Sequence, residues 1–469
     1  MLTIDNANNT LIAYLYITSL THKINILARN MKVEVQSRQL VKPATATPSH
    51  LRRYNISMID DLNPPMHVIR ILYYPPHTHT LPLNLQTPLS QILPSFYPLA
   101  GRYLKPLHAV DCNDAGALFS RALVHSPLRP LLADPSCLNA LLPVDIAAAD
   151  GPDDPMLAVQ VNTFLCGGVA IAVCGSHRIF DACSLSVFLA AWAEAARGGE
   201  RTIRPDFGSA ALFPSEGAAP LDFGVGERRI VGKRVVFDKE AIAALRARAS
   251  SDPDLEGVAL SRVVVVSAAL TQALLRADEA RHAGGSTILE NKHRLHTQNA
   301  RAALIAHAIN VRERTVPPVP KHACGTWVSI SHVELSTEER REATRDFPKL
   351  AREMREATVR GIKDCARILS DKGFGRWALV DSYAEIAEKG LIREDYKVIY
   401  VTDWSKFGDY DLDFGFGKAI WVSLADVPLE DLMILMNTRE NDGIEAWVYL
   451  DELDMTYFEK DQHIQMLLA

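Results

Sequence analysis

Between residues 197 and 228 the chain carries Gly, Pro and Ser with almost no hydrophobic periodicity, and this stretch divides two long segments that each mix strand-like and helix-like patterns. This pattern predicts two similar-sized lobes of mixed sheet and helices, 31–196 and 229–469, joined by a crossover at 197–228. A ligand site is expected where the lobes meet. In the first segment, 66–74, 156–164 and 169–174 are rich in branched and aromatic residues and bounded by Pro, Gly or Asp, as strands are. Thr87 and Pro88 read as the start of a helix whose apolar face is Leu89, Ile92, Leu93 and Phe96. Residues 184–196 read as another helix, ended by Gly198 and Gly199. In the second, 229–238, 396–403, 419–424 and 445–450 read as strands. The segments 240–249, 261–278, the charged stretch 336–370 and the closing 451–468 read as helices.

Composition removes several function classes. A net charge of −6 without clustered Lys and Arg argues against nucleic acid as a partner. Seven cysteines, none in a CxxC pair or a His/Cys cluster, give no metal site and fit a reduced cytoplasmic compartment. The apolar run 11–20 is far below the ~20 residues a membrane span needs, and no positive charge precedes it as a secretory signal requires. Residues 1–30 are expected to be a disordered or mis-annotated extension, with the ordinary start at Met31.

Four strings carry candidate chemistry. Ser176-His177-Arg178-Ile179-Phe180-Asp181 follows a buried strand and precedes a helix, so His177 stands at an element terminus, where a rigid scaffold can present it to a cleft. An imidazole there can serve as general base to a hydroxyl attacking a carbonyl; a core histidine with a helix-capping Asp181 is the structural alternative. Asp413-Phe414-Gly415-Phe416-Gly417-Lys418 shares its first three residues with the metal-binding string of protein kinases, but no HRD or phosphate-covering glycine loop accompanies it, so a Gly-containing turn is the local reading. Asp222-Phe223-Gly224 and Asp206-Phe207-Gly208 show how readily the tripeptide arises. Tyr97-Pro98-Leu99-Ala100-Gly101-Arg102 and Asn310-Val311-Arg312-Glu313-Arg314, with Pro317, Pro318 and Pro320 beyond, read locally as structural.

In order and spacing these strings, with Val401-Thr402-Asp403-Trp404 and the segment from Asp442 to Met455, resemble the BAHD family of plant acyl-CoA-dependent acyltransferases from about Met31 onward. The N-terminal segment is most similar to the vinorine synthase-like branch. One departure is plain: Phe416 stands where the family pattern has Trp, which keeps aromatic bulk and loses an indole donor.

The resemblance implies a mixed α/β, chloramphenicol-acetyltransferase-like fold with a central solvent channel. It implies transfer of an acyl group, acetyl first, from acyl-CoA to a hydroxyl of a specialised metabolite through a ternary complex. Acyl-CoA is then a co-substrate, with no permanently bound cofactor or metal, and a cytoplasmic monomer is expected. His177 is the implied general base and Trp404 the implied oxyanion donor, with Thr402 beside it. Asp181 holds the histidine loop, and Asp413, with Gly415 and Gly417, gives architectural support through a pairing with Arg312. Ser267 and Thr402 are the implied contacts to CoA. Acyl-sugar or longer-chain acyl transfer uses the same residues. Two other readings stand beside this one: Cys183 or Cys174 as a nucleophile activated by His177, and a family member that binds ligand without turnover.

Overall fold

The computed structural model describes residues 31–76, 84–133, 135–200, 202–217, 229–283, 301–391 and 395–468. The expected extension 1–30 and the Asp222-Phe223-Gly224 string lie outside the described residues. In chain order the strands are β1 (Val33–Val41), β2 (Arg53–Asn55), β3 (His67–Tyr74), β4 (Arg102–Leu104), β5 (Ala109–Asp111), β6 (Ala117–Val124), β7 (Leu157–Phe164), β8 (Val169–Ser176), β9 (Ile230–Phe237), β10 (Ala302–Asn310), β11 (Val328–Leu335), β12 (Tyr396–Asp403), β13 (Trp421–Ser423), β14 (Leu432–Asn437) and β15 (Ile444–Asp451). They form two six-stranded sheets, ordered β1-β6-β7-β8-β3-β13 and β11-β10-β12-β14-β15-β9, and a small β2-β5-β4 sheet. The mixed two-lobe architecture expected from the sequence is present.

Strands β3 and β8 are buried along their whole length, so they read as largely apolar runs rather than alternating ones, with Arg70 a buried charge inside β3. Ala303 and Ile305 on β10 and Ile399 and Val401 on β12 pack with the helices Arg262–Ala283 and Phe347–Asp364. Residues one position off, Ala306, Ala308, Tyr400 and Thr402, face a cavity.

Several boundaries differ from the sequence reading. β13, assigned by position to the second lobe, belongs to the first sheet: Trp421, Val422 and Ser423 pair antiparallel with Tyr73, Leu72 and Ile71. Burial explains the crossing, since Trp421 stacks on Tyr73 with centroids 4.8 Å apart and Ser423 Oγ lies 2.9 Å from the Tyr73 hydroxyl. The stretch 336–370 breaks into Thr337–Ala343 and Phe347–Asp364, because Asp346 caps the second helix by accepting from Lys349 N. The closing stretch splits into Glu452–Phe458 and Gln462–Leu468. The helix expected to open at Thr87 runs Gln86–Ile92, and Thr87 does not cap it; its amide donates to Asn84 Oδ1.

Candidate active site

A cavity of about 970 Å³ lies between the two sheets and is lined from both. His177 reaches it from the turn after β8. That turn is held at three points: His177 N donates to Met66 O (2.9 Å), Asn63 Nδ2 donates to His177 O (3.1 Å), and Arg178, itself buried, donates to both Asp150 carboxylate oxygens and to the Asp61 and Asn63 carbonyls. These bonds fix the backbone from which the imidazole projects. Its Nδ1 is buried and makes no hydrogen bond among the described residues. Desolvation pulls the His177 pKa down to about 4; the interaction of the ring with its own backbone and the nearby Asp181 charge only partly oppose it, and Arg178 adds slightly to the lowering. The ring is therefore neutral and able to accept a proton across the physiological range.

Asp181 does not touch the imidazole. It caps the helix Ala182–Ala196, accepting from Ser184 N (2.7 Å) and Ser184 Oγ (2.8 Å), and it receives Trp327 N (3.2 Å). Its main partner is Arg312, whose Nη1 and Nη2 lie 2.8 and 3.0 Å from the two carboxylate oxygens. Burial alone would raise the Asp181 pKa, but the guanidinium charge and these hydrogen bonds outweigh it and hold the carboxyl below its ordinary value. Here the structure corrects the sequence reading, which paired Arg312 with Asp413. Arg312 is committed to Asp181, Ser184 Oγ and the Ala323 and Gly325 carbonyls.

Asp413 instead closes its own turn. Its Oδ1 accepts from Gly415 N (2.7 Å) and Gly417 N (3.0 Å), and its carbonyl accepts from Arg197. Gly415 and Gly417 have φ of +99° and +95°, a region that side-chain-bearing residues rarely enter. None of the three lines the cavity. Phe414 is wedged between Trp192 and Tyr74, and Phe416 meets Tyr74 edge-on at 4.7 Å, so the missing indole is replaced by ring packing.

Trp404 and Thr402 do line the cavity. The indole N–H, expected to face an oxyanion, donates to Thr402 Oγ1 at 3.0 Å, which leaves the Thr402 hydroxyl proton free to point at a ligand. Ser267 lies away from the cavity surface. It is fully buried on the helix Arg262–Ala283, and its Oγ donates to the Val263 and Val264 carbonyls. Cys183 borders the cavity, but burial pushes its thiol up; Cys174 is wholly buried and raised for the same reason. Neither environment favours a thiolate nucleophile.

Some functional positions carried no local signal. Asn63 Nδ2 donates to Thr326 Oγ1 (2.6 Å) as well as to His177 O, and Thr326 N donates to buried Asp60, tying the histidine turn to the second lobe. Only chain closure brings these three together. The far end of the cavity is walled by ion pairs, among them Arg281 with Asp454 (2.5 Å) and Lys397 with Asp431 (2.6 Å). Lys397 sits among Glu430, Asp431 and Asp454, a trio close enough to hold a cation.

Residues 31–465 match the model of the transferase family. The chain is 33% identical over 460 residues to a pelargonidin-glucoside malonyltransferase of Salvia splendens, covering 94% of this chain and all of that one. It is 32% identical over 437 residues to vinorine synthase of Rauvolfia serpentina, covering 90% and 95%. The crystal structure of vinorine synthase superimposes with a TM-score of 0.74 over 93% of this chain and 98% of that one, at 30% identity. TRI101 of F. sporotrichioides, solved with coenzyme A and T-2, shares the fold at a TM-score of 0.64 and 18% identity, covering 88% and 98%. With the family matched across both lobes, and the HxxxD histidine presented to the cavity between them, the chain belongs to the BAHD transferase family and is an acyl-CoA-dependent O-acyltransferase.

Proposed function

We propose that this enzyme transfers an acetyl group from acetyl-CoA to a hydroxyl of a plant specialised metabolite, with His177 as general base. The observation that carries the reading is a neutral histidine, rigidly held, at a cavity walled by both lobes. The acceptor oxygen attacks the thioester carbon while its proton passes to His177 Nε2; the C–S bond then breaks and the proton passes to the leaving thiolate, releasing free CoA. Because desolvation disfavours the imidazolium, the ring acts as a short-lived relay. The Thr402 hydroxyl, backed by the Trp404 indole, is the donor assigned to the oxyanion. Asp181 and Arg312 act on geometry alone, as do Asp413, Gly415 and Gly417. Acetyl as the donor group is supported by relatives named as limonoid and stemmadenine O-acetyltransferases.

Because both walls of the cavity come from one chain, a monomer contains the whole site. Seven cysteines with no CxxC pair support a reducing, cytoplasmic setting, and the net charge of −6 supports the absence of a nucleic-acid partner. The test is free-thiol release from acetyl-CoA, with malonyl-CoA in parallel, by wild type and His177→Ala against pooled alkaloid, terpenoid, phenolic and sugar alcohols. Acceptor-dependent release that falls ~10²–10⁴-fold in the variant is expected. An unchanged rate would refute the assignment.

A further inference from the structure

We propose that Arg70 is a positioning residue for the transfer step, fixing the Trp404–Thr402 donor pair relative to His177. The proposal rests on the oxyanion role assigned above to that pair. Arg70 is on β3 and has no solvent exposure. Its guanidinium carbon lies 3.9 Å from the centroid of the Trp404 ring, Nε donates to Asp409 at 3.0 Å, and Nη1 donates to the carbonyl of Ile69. Nη2 makes no hydrogen bond among the described residues, so the indole face serves in place of a further acceptor.

β3 links the two halves of the chemistry. Met66, just before it, holds the His177 amide, and Arg70 follows four residues later, roughly 13 Å along a strand at ~3.3 Å per residue. Trp404 and Asp409 both come from the second lobe, so this one side chain sets where the second-lobe donor stands against the first-lobe base. The effect is also electrostatic. A cation over the ring draws electron density from the indole, which strengthens the N–H bond donated to Thr402 Oγ1, and a polarised hydroxyl in turn donates better. A buried charge held in low dielectric delivers this more strongly than an exposed one.

The test is a cycle of Arg70→Met, Arg70→Lys and Trp404→Phe, singly and combined, in the full chain, read by acceptor-dependent thiol release from acetyl-CoA with the alcohol pool. Arg70→Met strands Asp409, so Arg70→Met/Asp409→Asn is made alongside it to keep the fold. Arg70→Met is expected to lower kcat about tenfold or more with KM for acetyl-CoA within about threefold, and to add no more than about twofold once Trp404 is Phe. Arg70→Lys, which keeps the charge without the plane, should recover part of the loss. A loss of full size in the Trp404→Phe background overturns the proposal, as does full activity of Arg70→Met beside an impaired Trp404→Phe. Full activity of Trp404→Phe overturns the donor-pair reading itself. A second readout needs no turnover: the fluorescence difference between wild type and Trp404→Phe should change when measured in the Arg70→Met/Asp409→Asn background, and an unchanged difference spectrum refutes the contact.

Discussion

Replacing Arg312 with Met removes the guanidinium that holds Asp181, and the consequences can be worked from the contacts. Arg312 is 5% exposed and donates to Asp181, Ser184 Oγ, Asn310 Oδ1 and the Ala323 and Gly325 carbonyls. Breaking one side of a buried ion pair typically costs about 3–5 kcal/mol, because the remaining charge stays desolvated. Ser184 N, Ser184 Oγ and Trp327 N would still serve the carboxylate, so a loss near the lower end, about 3 kcal/mol at pH 8, is expected. The pH dependence gives the sharper test. In the wild type, the carboxyl is held below its unfolded value; its contribution is full above that value and is lost as pH falls through the folded one. Without Arg312, burial is the dominant influence and raises the carboxyl above its unfolded value. The folded variant then binds a proton more readily than the unfolded chain, and its deficit shrinks as pH falls. Urea unfolding followed by tryptophan fluorescence at pH 8 and pH 5.5 measures both. A deficit below about 1 kcal/mol at pH 8, or equal deficits at the two pH values, would refute the reasoning.

The acid limb of kcat/KM should lie near 4, where burial has moved His177, and a limb at the ordinary imidazole value would remove the desolvated-base account. His307 is likewise lowered to about 4 by burial, so the unfolded chain takes up protons first; stability should be full above the ordinary value near ~6.5 and decline as pH falls from there towards 4, measured as a drop in Tm. Gly417→Ala forces an alanine to a φ of +95° with no neighbour within 4 Å, a pure backbone strain of about 1–3 kcal/mol; because the turn lies outside the cavity, KM should hold. Cys183→Ser should retain turnover and show no pre-steady-state burst of thiol, whereas loss of activity with a wild-type burst would revive the covalent route.

The branched and aromatic residues of β3, β8 and β12 and the turn residues that bound them are local patterns, and from them these strands could be placed without the fold. The turn from β8 into the helix capped by Asp181 was equally legible, because a strand, a glycine, a histidine and a capping carboxylate follow one another within a few residues. The sequence reading failed where partners lie far apart. Arg312 was paired with the wrong aspartate, since nothing local distinguishes Asp413 from Asp181, which is 131 residues away. Ser267 was named from the family resemblance alone, and only packing shows that its position faces the core. β13 reads as a second-lobe strand until Tyr73 and Ser423, 350 residues apart, are seen to meet.

From periodicity and turn residues the sequence by itself placed many of the strands and helices in their order, and the family resemblance, not local chemistry, singled out His177 as the candidate base. Tertiary structure alone decided which charges neutralise each other, which strand crosses between the lobes, and that Arg70 lies under Trp404. Those outcomes depend on how two sheets close over a shared cavity, where burial makes an unpaired charge costly and so selects the partner.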